Sequence, residues 1–415
     1  MLKIILTLMM LFQGVAYAFL NTDTNYQKQL SVLKEFDLPP SFLKDSMFIT
    51  MKDDVETYKT KYFLKTLESG DRFVPILQKM MQEAKVPTEF LYLAMTESSF
   101  DPYSSSPAKA AGIWQFIPGT AKIYRLINNA YVDERRDPVK STEAAIKYLK
   151  HLHTMFGKWY LAALAYNCGE GKLSKAIAQA GSDDINVLLD EEKKYLPKES
   201  RLYIRKILMM SFISNSTDFM LDNGSEHLLN RANNDTFVKV DVKNGTHLRE
   251  VAKSLYITLE ELKAFNPHLK HGFTDPANGL SYIYIPKDKQ VAFTQNFDPT
   301  KEPAKYAVYT TKKGDTLASI AQKSGLSTQE IMQLNALKTS TLSPKMEIIL
   351  PRDSSKQLAA ASTPEKSTTV YVIKTGDTME ILARQYDISV AQLMKINNKK
   401  NRLVRAGDRI VVPKN

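Results

Sequence analysis

The 415-residue sequence predicts a multidomain chain, with an all-α domain in its first part followed by small α+β modules of βααβ order. Three observations carry that reading. Residues 73–230 repeat apolar positions with helical period, as in FVPILQKMMQEA, STEAAIKYLKHLHTMFG and ESRLYIRKILMMSFI, and strand-like alternation is scarce there. Residues 306–351 lie over residues 370–413 at one constant offset: Gly314, Asp315, Thr316, Asn335 and Pro351 fall on Gly376, Asp377, Thr378, Asn397 and Pro413, each 62 positions later. A gapless register over a whole unit marks a duplication. Stretches at 288–305 and 352–369, polar and low in aromatics, read as linkers.

At the amino end, Lys3 precedes an apolar run from Ile4 to Val15 and the small-x-small triplet Ala16-Tyr17-Ala18. This is the order of a secretory signal peptide over residues 1–18; the alternative is an uncleaved anchor, for which the run is short. No cysteine follows the cleavage site, so a lipoprotein anchor is not expected. Residues 19–72 read as a helical extension that packs on the next domain, with no function assigned. The single cysteine, Cys168, excludes an intrachain disulfide framework. His151 and His153 are two apart on a helix and share no face, so no metal site and no cofactor are called for.

Within the all-α domain, Pro87 opens the helix TEFLYLAMTESSF, which presents Glu97 near its end among Leu91, Leu93, Ala94 and Met95. Apolar surroundings disfavour the charged form of a carboxyl group, which can then stay protonated and act as a general acid. Taken alone, Glu97 is more often an ordinary helix-end carboxylate. Asp101 is put out of the helix by Pro102 and reads as loop structure.

Each repeat copy reads as a short strand (Tyr306 to Tyr309, Val370 to Ile373), a Gly-Asp-Thr helix start with Thr316 or Thr378 as N-cap, two short helices broken at Gly325 or Asp387, and a closing strand ending at Pro. A weaker copy spans 237–286, where Gly245-Thr246, Val251-Ala252 and Phe265-Asn266-Pro267 match at an offset of 69. Its Gly-Asp-Thr signature has decayed, and whether it binds anything is left open. The carboxyl-terminal half is therefore expected to be beads on a string. Of the chain's +11 net charge, residues 301–415 hold +9, from 19 Lys and Arg against 10 Asp and Glu. The basic run Lys399-Lys400 with Arg402 and Arg405 reads as a solvated loop, and no nucleic-acid partner is expected.

In order along the chain come Glu97-Ser98, Ser106, Gly112-Ile113-Trp114-Gln115-Phe116-Ile117-Pro118-Gly119-Thr120-Ala121, Ala162-Ala163-Leu164-Ala165-Tyr166-Asn167-Cys168-Gly169 and Leu196-Pro197-Lys198-Glu199-Ser200-Arg201-Leu202-Tyr203. This series resembles the four-motif signature of the lytic murein transglycosylases, and the repeats resemble LysM modules; together the resemblance covers nearly the whole mature chain. It implies a goose-type, lysozyme-like all-α fold with Glu97 as the single catalytic acid/base. Ser106 and Gln115 would then contact the substrate and Ile117 form an apolar wall. Tyr166 and Asn167 would face the catalytic carboxyl, and Glu199 would support it with Tyr203 one turn beyond. Cys168 stands where the family usually has alanine and is expected to pack. Trp114 and Phe116 remain open between core and cleft wall.

In LysM modules the sugar lies between the loop after the first strand and the loop before the last. The candidates carried over are Gly314, Asp315, Thr316 and Leu317, with Gly376, Asp377, Thr378 and Met379 in the second copy. The implied partner is the peptidoglycan glycan strand of N-acetylglucosamine and N-acetylmuramic acid, whose peptide carboxylates suit the positive charge. The implied location is the periplasm or cell envelope, peripheral to the membrane at most. Three readings stand: an exported lytic transglycosylase, a hydrolytic lysozyme on the same fold, and a non-catalytic peptidoglycan-binding scaffold.

Overall fold

The computed structural model describes residues 25–229, 236–277, 281–299, 303, 306–335, 337, 339–351, 368–386, 388, 390–399 and 401–413. The expected signal peptide, Asp387 and nearly all of the expected 352–369 linker lie outside these residues. The chain divides into two compact units, residues 1–304 and 305–415.

The first unit is built around helices, and its amino-terminal segment belongs to the core. Phe36 is fully buried with its ring 4.9 Å from Phe90, and the Phe36 carbonyl accepts from the Tyr160 N–H. Arg205, itself buried, forms a two-pronged pair with Asp45 at 2.8 and 3.0 Å. Residues 25–72 thus add aromatic bulk that each contributes roughly 2 kcal/mol of burial to one shared core.

Four helices position the later site. Helix Leu91–Ser98 follows a 3-10 turn at Thr88–Phe90, so Pro87 precedes that turn instead of occupying the helix's first turn. The helix stops at Ser98 because Ser99 and Phe100 adopt left-handed backbone, φ +56° and +59°. Helix Pro138–Phe156 starts where the Asp137 carboxylate accepts from the Val139 and Lys140 N–H groups, with Pro138 pre-set for the first turn. Helix Trp159–Cys168 ends at Gly169, and helix Lys198–Asn215 begins after Pro197.

The weaker copy does form a βααβ module: strand Phe237–Val242, helices Leu248–Leu255 and Leu259–Phe265, and strand Ser281–Pro286, with Phe237 opposite Pro286 in an antiparallel pair. It is not a bead on a string, because it lies within the same compact unit as the helical domain. The hydroxyls of Tyr282 and Tyr284 donate to the fully buried Asp137 carboxylate at 2.6 and 2.9 Å, and Phe237 packs edge-on against Phe73. The expected linker at 288–305 is also corrected in part. Residues Gln290–Asn296 form a helix whose Phe293 is buried in the module's core, with Ala292 and the following Phe297 packed beside it.

The second unit holds two further βααβ modules. One runs through strand Tyr306–Thr310, helices Leu317–Ser324 and Thr328–Leu334 and strand Glu347–Pro351. The other runs through Thr368–Val372, Met379–Gln385, Val390–Ile396 and Arg409–Pro413. Their strands pair antiparallel with Tyr306 opposite Pro351 and Thr368 opposite Pro413. Thr316 and Thr378 cap their helices by accepting from Ser319 and Ile381 N–H groups. Asn335 joins the second helix to the closing strand, donating to the carbonyls of Ile331 and Ile349 and accepting from the Ile349 N–H. Asn397 and the buried Asn266 do the same in their own modules. One side-chain amide closing two backbone elements explains why asparagine recurs at this register.

Candidate active site

The site begins with Glu97, half-buried on helix Leu91–Ser98 beside the buried Leu93, Ala94 and Met95. Its carboxyl accepts a hydrogen bond from the Tyr203 hydroxyl. Burial pushes the Glu97 carboxyl above the ordinary carboxylate range; the Tyr203 bond pulls it back, and the charge of Glu199 pushes it up again. Glu199 and Tyr203 lie four residues apart on one face of helix Lys198–Asn215. The rotation of that helix is set elsewhere, by Arg205 on Asp45 and by Arg201 on Glu191 (2.8 Å) and the Leu196 carbonyl (2.6 Å).

Helix Trp159–Cys168 supplies the next pair. Ser200 donates to the Asn167 carbonyl oxygen at 2.7 Å and so holds this side chain where it lines the cleft. The Tyr166 hydroxyl donates to the Trp114 carbonyl at 2.7 Å, so its proton holds the neighbouring loop. Burial and the Glu97 charge push the Tyr166 phenol well up, and it stays a donor.

That loop spans 104–117. Ser98 Oγ ties it to the Glu97 helix by donating to the Ile113 carbonyl at 2.9 Å. Gln115 takes φ +49°, a conformation a non-glycine residue holds only when its surroundings impose it, and its amide donates to the Gly112 carbonyl at 2.8 Å.

Between these elements lies a cleft of about 700 Å³ lined by Glu97, Ser106, Gln115, Ile117, Tyr166, Asn167 and Glu199. Its size suits a sugar chain. Tyr203, buried beneath, reaches it only through Glu97. Trp114 resolves as core: it is fully buried and its indole N–H donates to Thr142 Oγ1 at 2.8 Å. Phe116 is buried and also lines the cleft, and Cys168, expected only to pack, lines it too.

The motifs did not point to Tyr124 and Tyr148. Their rings lie 5.3 Å apart, Tyr148 is 5.2 Å from Tyr166, and Phe116 closes the cluster at 6.4 Å from both Tyr124 and Tyr166, forming an aromatic wall. Helical periodicity placed Tyr148 on an amphipathic helix but could not say that its ring ends at a cavity. His151 and Glu170 also belong to the missed lining.

A second shifted carboxyl shows why geometry must decide. Burial pushes Glu89 up to about 7, against the pull of a hydrogen bond from Ser211. Yet Glu89 opens on a cavity of about 80 Å³ lined by Leu67, Phe100 and Leu228, room for a few waters only. Among the described residues, no group of three His, Cys, Asp or Glu side chains could hold a metal ion.

In the LysM-like repeats, Gly314 and Gly376 both take φ +94°, and Asp315 accepts from the Tyr309 hydroxyl (2.8 Å) and the Lys312 N–H (2.7 Å). Asp377 repeats this with Tyr371 and Lys374. Leu317 and Met379 bury their side chains in the module cores, so only their backbone can face a groove.

Comparison with known proteins agrees with this anatomy. Residues 75–189 match the transglycosylase SLT domain, 236–301 the LysM-like domain of lytic transglycosylase MltD, and 309–351 and 371–413 the LysM domain. The chain is 30% identical to the membrane-bound lytic murein transglycosylase D of Escherichia coli strain K12, over 96% of this chain and 90% of that one. It is 27% identical to an N-acetylmuramoyl-L-alanine amidase of Staphylococcus epidermidis over 41% of this chain and half of that one. The 70-kDa soluble lytic transglycosylase of Escherichia coli aligns in structure with a TM-score of 0.29 at 20% identity, over 37% of this chain and 25% of that one. With identity at this level over nearly its full length, the chain belongs to the membrane-bound lytic murein transglycosylase D family and is a lytic transglycosylase.

Proposed function

We propose that the cleft cleaves the β-1,4 bond between N-acetylmuramic acid and N-acetylglucosamine and leaves a 1,6-anhydro-N-acetylmuramic acid end. The observation that carries this reading is Glu97: a carboxyl raised by burial, bonded to Tyr203 and opening on a cleft lined by the other motif residues.

Protonated Glu97 donates to the bridging oxygen as the C1–O bond breaks. The substrate's own N-acetyl oxygen closes on C1 as an oxazolinium-like species. Glu97, now a carboxylate, accepts the proton of the C6 hydroxyl, and O6 displaces the acetyl oxygen from C1. One proton has moved from O6 to the leaving oxygen, and no water enters. Ser106, Gln115 and Asn167 hold polar groups of the sugars, Ile117 offers an apolar wall, and Tyr166, Glu199 and Tyr203 set the position and charge balance of Glu97. Gly314 to Leu317 and Gly376 to Met379 form the glycan-binding turns of the two carboxyl-terminal modules. The protein acts after export, in the periplasm or cell envelope.

Mass spectrometry of digested peptidoglycan tests the reaction. Anhydro-muropeptides are expected, and reducing ends alone, heavier by one water, would overturn the reading in favour of a hydrolase. In a hydrolase water would attack C1 in place of O6, with the Glu97 carboxylate or a second carboxylate such as Glu199, exposed at the cleft, accepting its proton.

Tyr203→Phe should lower kcat about tenfold, less than the roughly 10²–10⁴-fold contributed by a group that transfers the proton itself, because Tyr203 only positions Glu97. Its hydroxyl favours the Glu97 carboxylate, so removing it raises the Glu97 pKa further. The protonated form is the active acid; activity is lost as pH rises through that pKa, and the alkaline limb should therefore move to higher pH. A kcat/KM profile on soluble glycan fragments checks this, and a limb that stays in place would show that the bond does not tune Glu97.

A further inference from the structure

The docked 237–286 module joins the helical domain chiefly along residues 127–137. Val132 pairs with Leu269, the Asp133 N–H donates to the His268 carbonyl at 2.9 Å, and the Lys270 N–H donates to the Tyr131 carbonyl at 2.9 Å. Asn129 donates to the Asp275 carboxylate at 2.8 Å, and Tyr282 and Tyr284 donate to Asp137.

From its other side the same segment grips the cleft loop. Arg135, 7% exposed, forks onto both oxygens of Asp133 at 2.9 and 2.8 Å. Its Nη1 donates to the carbonyls of Lys109 (2.7 Å) and Phe116 (3.3 Å), one on each limb of the loop that carries Ser106 and Gln115. Arg136 adds bonds to the Pro102 carbonyl and Ser105 Oγ at 2.9 and 2.7 Å. The chain of contacts is continuous, from the His268 carbonyl through Asp133 and Arg135 to both limbs.

The module's own turn is meanwhile closed. Thr246 and Thr274 exchange backbone and hydroxyl bonds at 3.0 and 3.1 Å, His247 pairs with Phe273, and all four residues are buried. In the next module Gly314 and Thr316, which correspond to the buried Gly245 and His247, are exposed.

We propose that Arg135 is a positioning residue for the substrate loop, and that the docked module braces it through Asp133 in place of binding glycan. The inference deepens the proposed function, since it rests on Ser106 and Gln115 contacting the sugar chain. A planar guanidinium can satisfy a carboxylate and two carbonyls at once; a lysine ammonium keeps the charge but not the fork.

The test uses the full chain on soluble glycan. In Arg135→Lys, KM should rise about tenfold and kcat change less than threefold, with the alkaline limb of the pH profile unmoved because Glu97 keeps its surroundings. The double variant Tyr282→Phe/Tyr284→Phe, which touches no cleft residue, should raise KM about threefold by loosening the brace. A folded Arg135→Lys protein with wild-type KM overturns the proposal, and so does a double variant that melts at lower temperature yet keeps wild-type KM. KM is read from bond cleavage whichever product forms. A hydrolytic product would therefore overturn the proposed reaction while leaving the brace to be decided by KM.

Discussion

A Glu97→Gln protein is expected to bind sacculi and release no fragments, with kcat reduced at least 10³-fold, roughly the loss of one group serving as both acid and base. The amide matches the carboxyl in shape and can still accept from Tyr203, so the fold should be retained. Stability should respond in the opposite sense to activity. Burial raises the Glu97 pKa in the fold, so its contribution is fully present below about 4.5 and is lost as pH rises through the raised value. Glutamine never ionises, and the variant's melting temperature should gain on the wild type from pH 5 to pH 8. Sacculus digestion with thermal melts at both pH values checks both halves. Full activity in this variant would show that another residue is the acid.

The second large effect is on stability. Gly112 has φ +84°, and a Cβ placed there would lie 1.7 Å from the Arg135 carbonyl oxygen, a backbone atom on a segment held by buried bonds. Gly112→Ala adds a strained backbone to that clash, and about 3 kcal/mol or more of destabilisation is expected. For a domain of this size that is a fall of roughly 6–12 °C in melting temperature. Gly119→Ala is the control, because nothing lies within 4 Å of its Cβ position and alanine is the better helix former. Calorimetry that found the two variants equally stable would mean that the 104–117 loop and the 127–137 segment move freely past each other.

The features read most directly from sequence were those whose physics is local. The Thr316 and Thr378 caps lie within three residues of the groups they satisfy, and the duplicated turn repeats its glycine at the same positive φ. The motif residues of the cleft were named through family resemblance, which stands in for long-range contacts that no local pattern encodes. Tyr203 and Glu97 are 106 positions apart, and nothing near either one announces the other. Where neither local pattern nor motif reached, the expectations needed correction. Tyr148 was hidden because periodicity reports which face of a helix is apolar and not whether that face meets core or cavity. Phe293 was hidden because a few apolar residues in a mostly polar stretch carry no periodic pattern, yet with Ala292 and Phe297 they hold the helix on the module's core.

Domain order and the duplication follow from the amino-acid sequence alone, because turns, caps and apolar periods are set by neighbours a few residues away, and Glu97 became a catalytic candidate through the resemblance of its motifs to a known family. Tertiary structure distinguishes two carboxyls by their surroundings. Glu89 and Glu97 are both raised by burial, but only Glu97 opens on a space large enough for sugar. It also decided the fate of the degenerate module, which shares its fold with the two later copies but has its turn closed and its tyrosines spent on Asp137. Which surface a folded unit covers depends on side chains more than a hundred residues distant, and that pairing exists only once the chain has closed on itself.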